Sequence, residues 1–417
     1  MSDDTDDSTG WRYAPTRTLV GALQRGLGRG AHRALVDPAA PEAVLACLRR
    51  DHRWFWQIDE RAGYLARLVR DLRLPVAPMV AGLAAAAPDP ADDDNQFQHT
   101  LDVLVELGRI DYDGTVAALR DLVREGDRWH EVLASLARDW PVDQWDDLYD
   151  TVADRLGDLD PAQVHWLSPP WPRWADRDRR IADAVAATRL RPGPARPFAG
   201  STGTALLDLL GDATRTADWR PALRELRRRP PEPALLDLVD PLLAADVGYP
   251  LHAALTHLGP LAVPAARHWA TAPRHPLHWT ALLLLAEHGE ARDAGALLDG
   301  LAWLDGRPDD LCGYDRLLTG LVRLDTPRRA EALPWLRRLW FSPHSYERAA
   351  YLRARLRVDA DDAARCLREG LWDCEADVRL LAARHVALGP EVRDRLRALR
   401  DDLLETPEVR AAAAARI

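Results

Sequence analysis

Apolar residues in this chain return at helical spacing. Val378, Leu381, Ala382, His385 and Val386 stand at i, i+3, i+4, i+7 and i+8, which draws one continuous stripe down a helix. The period-two alternation of β-branched and aromatic residues that marks a half-buried strand does not occur. Leu, Ala, Arg and Glu are strong helix formers, so propensity and pattern agree. The same reading predicts helices over Tyr64–Leu72, Trp129–Asp139 and Trp145–Leu156, and hence an all-α chain.

The helices repeat. Asp377-Val378-Arg379 returns as Glu408-Val409-Arg410, and Glu347-Arg348 stands one step back, so Arg348, Arg379 and Arg410 keep a 31-residue beat. A second marker is Leu or a similar residue followed by Gly or Asp. It occurs at Leu258-Gly259, His288-Gly289, Leu324-Asp325, Val358-Asp359 and Leu388-Gly389, spaced by 30, 36, 34 and 30 residues. Gly suits a left-handed helix end and Asp caps the next amides. A period near 30 is that of a helical hairpin that cannot bury its own apolar face and stacks on copies of itself. Upstream, Leu107-Gly108 precedes Val116–Leu122, and Glu125-Gly126-Asp127 precedes Trp129–Asp139; this reads as a hairpin of the same kind.

Leu258-Gly259, Leu261-Ala262-Val263-Pro264 and the run Glu375–Gly389 resemble the short HEAT-like repeats of phycobilisome-lyase-type proteins, over about 250–417. The resemblance implies an α-solenoid, a right-handed superhelix of stacked hairpins. It also implies ladders between units, built from an Asp and an Arg six residues apart. Asp373 and Arg379 have that spacing, but Ser342 and Leu404 hold the matching places, so a continuous ladder is not expected. Arg384-His385-Val386-Ala387-Leu388-Gly389 also looks like the repeat of the di-iron deoxyhypusine hydroxylases. Only His130-Glu131 keeps the His-Glu pair of that group, so no such centre is expected.

The expected organisation is an acidic tail over 1–10, an N-terminal helical-repeat region over 11–190, a Pro/Gly-rich linker over 191–203 and a C-terminal HEAT-like region over 204–417. Breaks also fall at Ala87–Asp94 and Trp166–Trp174.

Composition narrows the chemistry. The chain of 417 residues has no lysine; all 55 basic residues are Arg. Walker-type phosphate loops, Schiff-base enzymes and kinase-type sites are excluded in their usual forms, since each needs a Lys. Abundant Ala, Arg, Gly, Pro and Trp point to a high-GC bacterial genome. A net charge of −10 argues against a nucleic-acid partner. The four cysteines form no Cys-x-x-Cys pair, which fits a reduced, cytoplasmic protein without a disulfide framework. No apolar run approaches the ~18 residues of a membrane span, so no membrane partner is expected.

Three groups could carry function. His252, His257, His268, His275, His278 and His288 could form a metal site with Glu287, or be scattered through an Arg- and Trp-rich interface; no cofactor or metal is expected from them. The 16 Trp could present an aromatic surface, with Trp129, Trp171 and Trp174 as candidates, or fill the gaps between stacked helices. Arg25-Gly26-Leu27-Gly28-Arg29-Gly30-Ala31-His32-Arg33 could offer backbone amides and Arg25, Arg29 and Arg33 to an anion, or be a flexible loop. Gly200–Thr204 reads as a Ser/Thr helix cap. The expected function is non-catalytic protein binding or scaffolding, with another protein as partner. The alternative is an enzyme on HEAT-like repeats, lyase-like or nucleic-acid-modifying.

Overall fold

The computed structural model describes residues 13–85 except 54 and 56, and 95–190, 196–307 and 312–417. The expected acidic tail over 1–10, the whole break at Ala87–Asp94 and the first five residues of the expected linker lie outside them. Among the described residues there are 25 α-helices and no strand. The first region holds α1 (Leu19–Gln24), α2 (Gly28–Ala34), α3 (Ala40–Leu48), α4 (Arg61–Asp71), α5 (Ala77–Ala85), α6 (Asn95–Gly108), α7 (Thr115–Glu125), α8 (Trp129–Asp139), α9 (Tyr149–Arg155), α10 (Trp171–Trp174) and α11 (Arg179–Leu190). The second holds α12 (Gly203–Leu210), α13 (Thr216–Leu226), α14 (Val239–Ala244), α15 (Tyr249–His257), α16 (Val263–Ala270), α17 (His278–His288) and α18 (Ala294–Asp305). It continues through α19 (Tyr314–Arg323), α20 (Leu333–Leu339), α21 (Arg348–Val358), α22 (Ala360–Gly370), α23 (Ala376–His385), α24 (Pro390–Asp401) and α25 (Pro407–Ala414).

Each Leu-Gly or Leu-Asp marker falls just past one helix of a row: α15, α17, α19, α21 and α23. Gly259 and Asp325 take left-handed φ values of 55° and 49°, as a helix end of this kind requires. Asp359 instead caps α22, accepting from the Asp362 amide at 3.0 Å. Thr202 caps α12 in the same way, by accepting from Ala205. Trp129–Asp139 is helical over the expected span. Trp145–Leu156 is not. Trp145 has φ −138°, a 3-10 turn stands on each side of it, and α9 starts only at Tyr149.

Helices of the second region touch in a regular order. α13, α15, α17, α19, α21, α23 and α25 each pack on the next member of that row, and α16, α18, α20, α22 and α24 each pack on the member that follows in the chain. α17 is apolar nearly all round, and it is buried among α15, α16, α18 and α19.

Arginine side chains repeat with the helices. Arg155 donates to the carbonyls of Val123, Arg124 and Gly126 at the end of α7. Arg323 donates to Leu285, Ala286 and Gly289 at the end of α17. Arg416 donates to Ala383, Arg384 and Val386 at the end of α23. The last carbonyls of a helix have no partner inside it, and a cation there also complements the helix dipole. A guanidinium with its planar fork satisfies several at once. The recurrence at Arg155 extends the pattern into the first region.

The two regions are not separate. The core of the first contains Cys374 and Leu404 from the second, and α2 packs on α22.

Candidate functional site

Residues Arg25–Leu27 form the turn between α1 and α2, Gly28–Arg33 belong to α2, and the segment lies on a seam with the last helices of the chain. Gly26 has φ 65°, and its carbonyl accepts from the Cys374 amide at 3.0 Å and from Arg348 Nη2 at 3.2 Å. A Cβ on Gly28 would stand 1.9 Å from the Glu369 carbonyl oxygen. These glycines let backbone meet protein closely, so the anion-loop reading is corrected: the Gly26, Leu27 and Gly30 amides donate to the Leu23, Ala22 and Leu27 carbonyls. Arg29 makes a bidentate pair with Glu369, 2.8 Å at both oxygens, over the Phe341 ring. Arg25 is buried, donates to the Ala14 and Gly21 carbonyls and lies over the Tyr13 ring. Arg33 alone of the three is exposed, and it donates to the Arg17 carbonyl.

Behind the glycines the 31-residue beat appears as buried ion pairs. Arg348 meets Asp373 at 3.0 Å, both side chains fully buried, and Arg379 meets Glu405 at 2.6 Å. Each also donates to a carbonyl six residues back, Ser342 and Asp373 respectively. Two rungs form, each with its acid from the loop that follows: Asp373 serves Arg348, and Glu405, one residue past Leu404, serves Arg379; Arg410, the third residue of the beat, donates to the Arg400 carbonyl instead. Arg67 and Arg70 on α4 reach across the seam to Asp402, at 3.1 and 2.5 Å.

The loop before α4 carries an Asp-x-Arg device twice. Asp51 accepts from the Arg53 amide and guanidinium, and Asp59 accepts from those of Arg61. Burial pushes the Asp59 carboxyl up, but the Arg61 guanidinium outweighs it and holds it below its ordinary value. Asp59 also accepts from the Ser345 hydroxyl at 2.8 Å across the seam. Nearby, burial, then the Asp59 and Glu60 charges, push Glu375 up to about 8. Burial and then Arg61 push His52 down to about 4, and burial and then Arg53 push His99 down to about 3. The Cys374 thiol is raised by burial, which keeps it a thiol rather than a nucleophilic thiolate.

A polar cavity of about 550 Å³ opens along this seam. Its walls are the loop before α4 and the start of α4, one face of α6, the end of α8, residues 374–379 at the start of α23 and the loop at 404–406. Five arginines line it (Arg53, Arg67, Arg109, Arg138, Arg379) against five carboxylates (Asp59, Glu60, Asp102, Glu106, Asp139). Arg53 bridges Asp51 and Asp102 at 3.0 Å each. This is the feature that sequence reading missed. The acids and arginines come from four separate stretches, and only the paired Asp-x-Arg spacing was visible locally.

The aromatic candidates lie elsewhere. Trp129, Trp171 and Trp174 are 2%, 2% and 0% exposed, so they are core and not a contact surface. Trp174 stacks edge-on to Trp145, Tyr149 and Trp171, and its Nε1 donates to Asp146 at 2.9 Å. The six histidines do not converge. His252 pairs with Thr280, His257 with the Arg229 carbonyl, and His275 precedes α17 and accepts from the Leu277 amide. Among the described residues no three His, Cys, Asp or Glu stand where they could hold a metal ion, and no helix is long and apolar enough to cross a membrane.

No protein-family model, no curated protein and no solved structure matches this chain.

Proposed function

We propose that the chain is a non-catalytic binding protein, a superhelix of HEAT-like hairpins that holds a partner protein along one row of its helices. The observation that carries this reading is the arginine cap repeated at Arg155, Arg323 and Arg416, each reaching the helix end one hairpin earlier. A device recurring at one-hairpin spacing is what stacked units produce. The row α13 to α25 is the more closely spaced, because its members touch in unbroken succession. Unequal spacing of two helix rows curves a stack with the tighter row inside, which supports reading this row as the concave face. Long concave surfaces are how such stacks bind proteins. The net charge of −10 over the whole chain favours a protein partner over a nucleic acid.

The test is affinity capture of the tagged full chain from its native host after mild crosslinking. One protein recovered at near-equal amount, with crosslinks on α13 to α25, supports the reading. Recovery of nucleic acid instead, or turnover of a substrate by the purified chain, overturns it.

A further inference from the structure

The seam cavity holds more charge than closing the seam uses. Closure engages Arg29 with Glu369 and Arg67 and Arg70 with Asp402, while Arg379–Glu405 and Arg348–Asp373 are pairs within the second region. The α6 face is separate from these pairs. Asp102 and Glu106 share one stripe of that helix, and Arg109, one residue past its end, continues the same spacing. All three line the cavity. The remainder of α6 is apolar and buried at Leu101, Val103, Leu104 and Leu107. A charged stripe facing a cavity is not needed to hold such a helix in place.

The charges on these walls have capacity left. Arg109 meets Glu106 through Nη1 alone, at 2.7 Å. Arg138 pairs with its neighbour Asp139 through Nε and Nη2 and stands 3.7 Å from Asp102. Glu60 uses one oxygen, which accepts from the Ala376 amide at 2.6 Å. Donors and acceptors thus face the same space. A lone anion in that space would meet Glu60 and Glu106, and a lone cation would meet Arg109 and Arg138. A molecule bearing both signs satisfies both sets. The volume of about 550 Å³ lies within the ordinary range of small-molecule sites.

We infer that the cavity is a binding site for a small zwitterion, with a carboxylate held by Arg109 and Arg138 and an ammonium held by Glu60 and Glu106; short peptides with free ends have this chemistry. All four residues belong to the first region, and residues 374–379 and 404–406 of the second region wall the same space. The site is independent of the partner-protein reading, and neither result depends on the other.

Calorimetry on the full chain tests it, with glycylglycine as probe. N-acetylglycylglycine serves as the mono-anion of similar size and glycylglycinamide as the mono-cation. Glycylglycine is expected to bind at one site per chain, at least tenfold tighter than either control. Arg138→Gln and Glu106→Gln each weaken it at least tenfold. Gly63→Leu supplies a variant that leaves the ion pairs alone. Gly63 lies on the cavity wall, and a Cβ there meets only Arg67 Nη1, at 3.9 Å. This variant is expected to lose binding while its melting temperature is unchanged or higher. Equal binding of the controls, glycylglycine binding unaffected by Gly63→Leu, or no binding of glycylglycine at all overturns the inference.

Discussion

Arg348 is fully buried, and its guanidinium is shared between Asp373 and the Gly26 carbonyl. Removing one partner of such a pair leaves the other charge desolvated, so Arg348→Gln is expected to cost about 3–5 kcal/mol in urea unfolding. Arg348→Met combined with Asp373→Leu restores most of that, because it removes both charges. Gly28 and Gly82 make a second comparison. Gly28→Ala drives a Cβ into the Glu369 carbonyl and is expected to destabilise by about 1–3 kcal/mol. Gly82→Ala in α5 meets nothing within 4 Å and is expected to gain up to about 1 kcal/mol from helix propensity. The buried acids set the pH response. Glu375 and Glu347 are each pushed up to about 8, the first by burial with Asp59 and Glu60, the second by burial with Asp315. The folded chain keeps these protons where the unfolded chain has lost them, so their stabilising effect is lost as pH rises towards 8. His52 and His99 act oppositely. They stay neutral when folded, so stability falls as pH drops below about 6.5, the ordinary histidine value. Melting temperature is therefore expected to decline from pH 6.5 to 8, and Glu375→Gln is expected to flatten part of that decline.

Helix ends carry the repeat. Arg323→Ala removes a charged donor from three carbonyls at the end of α17, and a loss of about 1–3 kcal/mol is expected. Faster hydrogen exchange at the last turn of α17, with α13 unaffected, would locate the effect. The helices, the hairpin markers and the 31-residue beat were legible in sequence, because helical periodicity and Gly or Asp at a helix end are local signals. Arg348 and Arg379 were visible as a beat, but their partners were not. Asp373 matched the six-residue rule only by chance of position, since its carboxylate serves Arg348 rather than Arg379. Glu405 was overlooked because the acid shifts by one residue between copies. The Arg/Gly run looked like a ligand loop because glycine shows that something approaches closely, not what. The tryptophans were readable as core or as surface, and only packing separates the two. The cavity was illegible, since its walls come from residues more than 300 positions apart, such as Glu60 and Arg379.

At the scale of the whole molecule, the first helices close onto the last ones through a seam of ion pairs and hydrogen bonds. Arg29–Glu369, Arg67–Asp402, Arg70–Asp402 and Asp59–Ser345 all cross it. The most direct test of this closure uses Arg33→Cys with Arg365→Cys in a Cys312→Ser background. Both sites are exposed and lie four residues from the Arg29–Glu369 pair, on α2 and α22. A short bismaleimide is expected to join them within one chain, in high yield at low protein concentration. After proteolysis the fragments carrying residues 33 and 365 should stay linked. If the two thiols are each capped singly and no intramolecular link forms, the first and last hairpins do not meet and the seam does not exist.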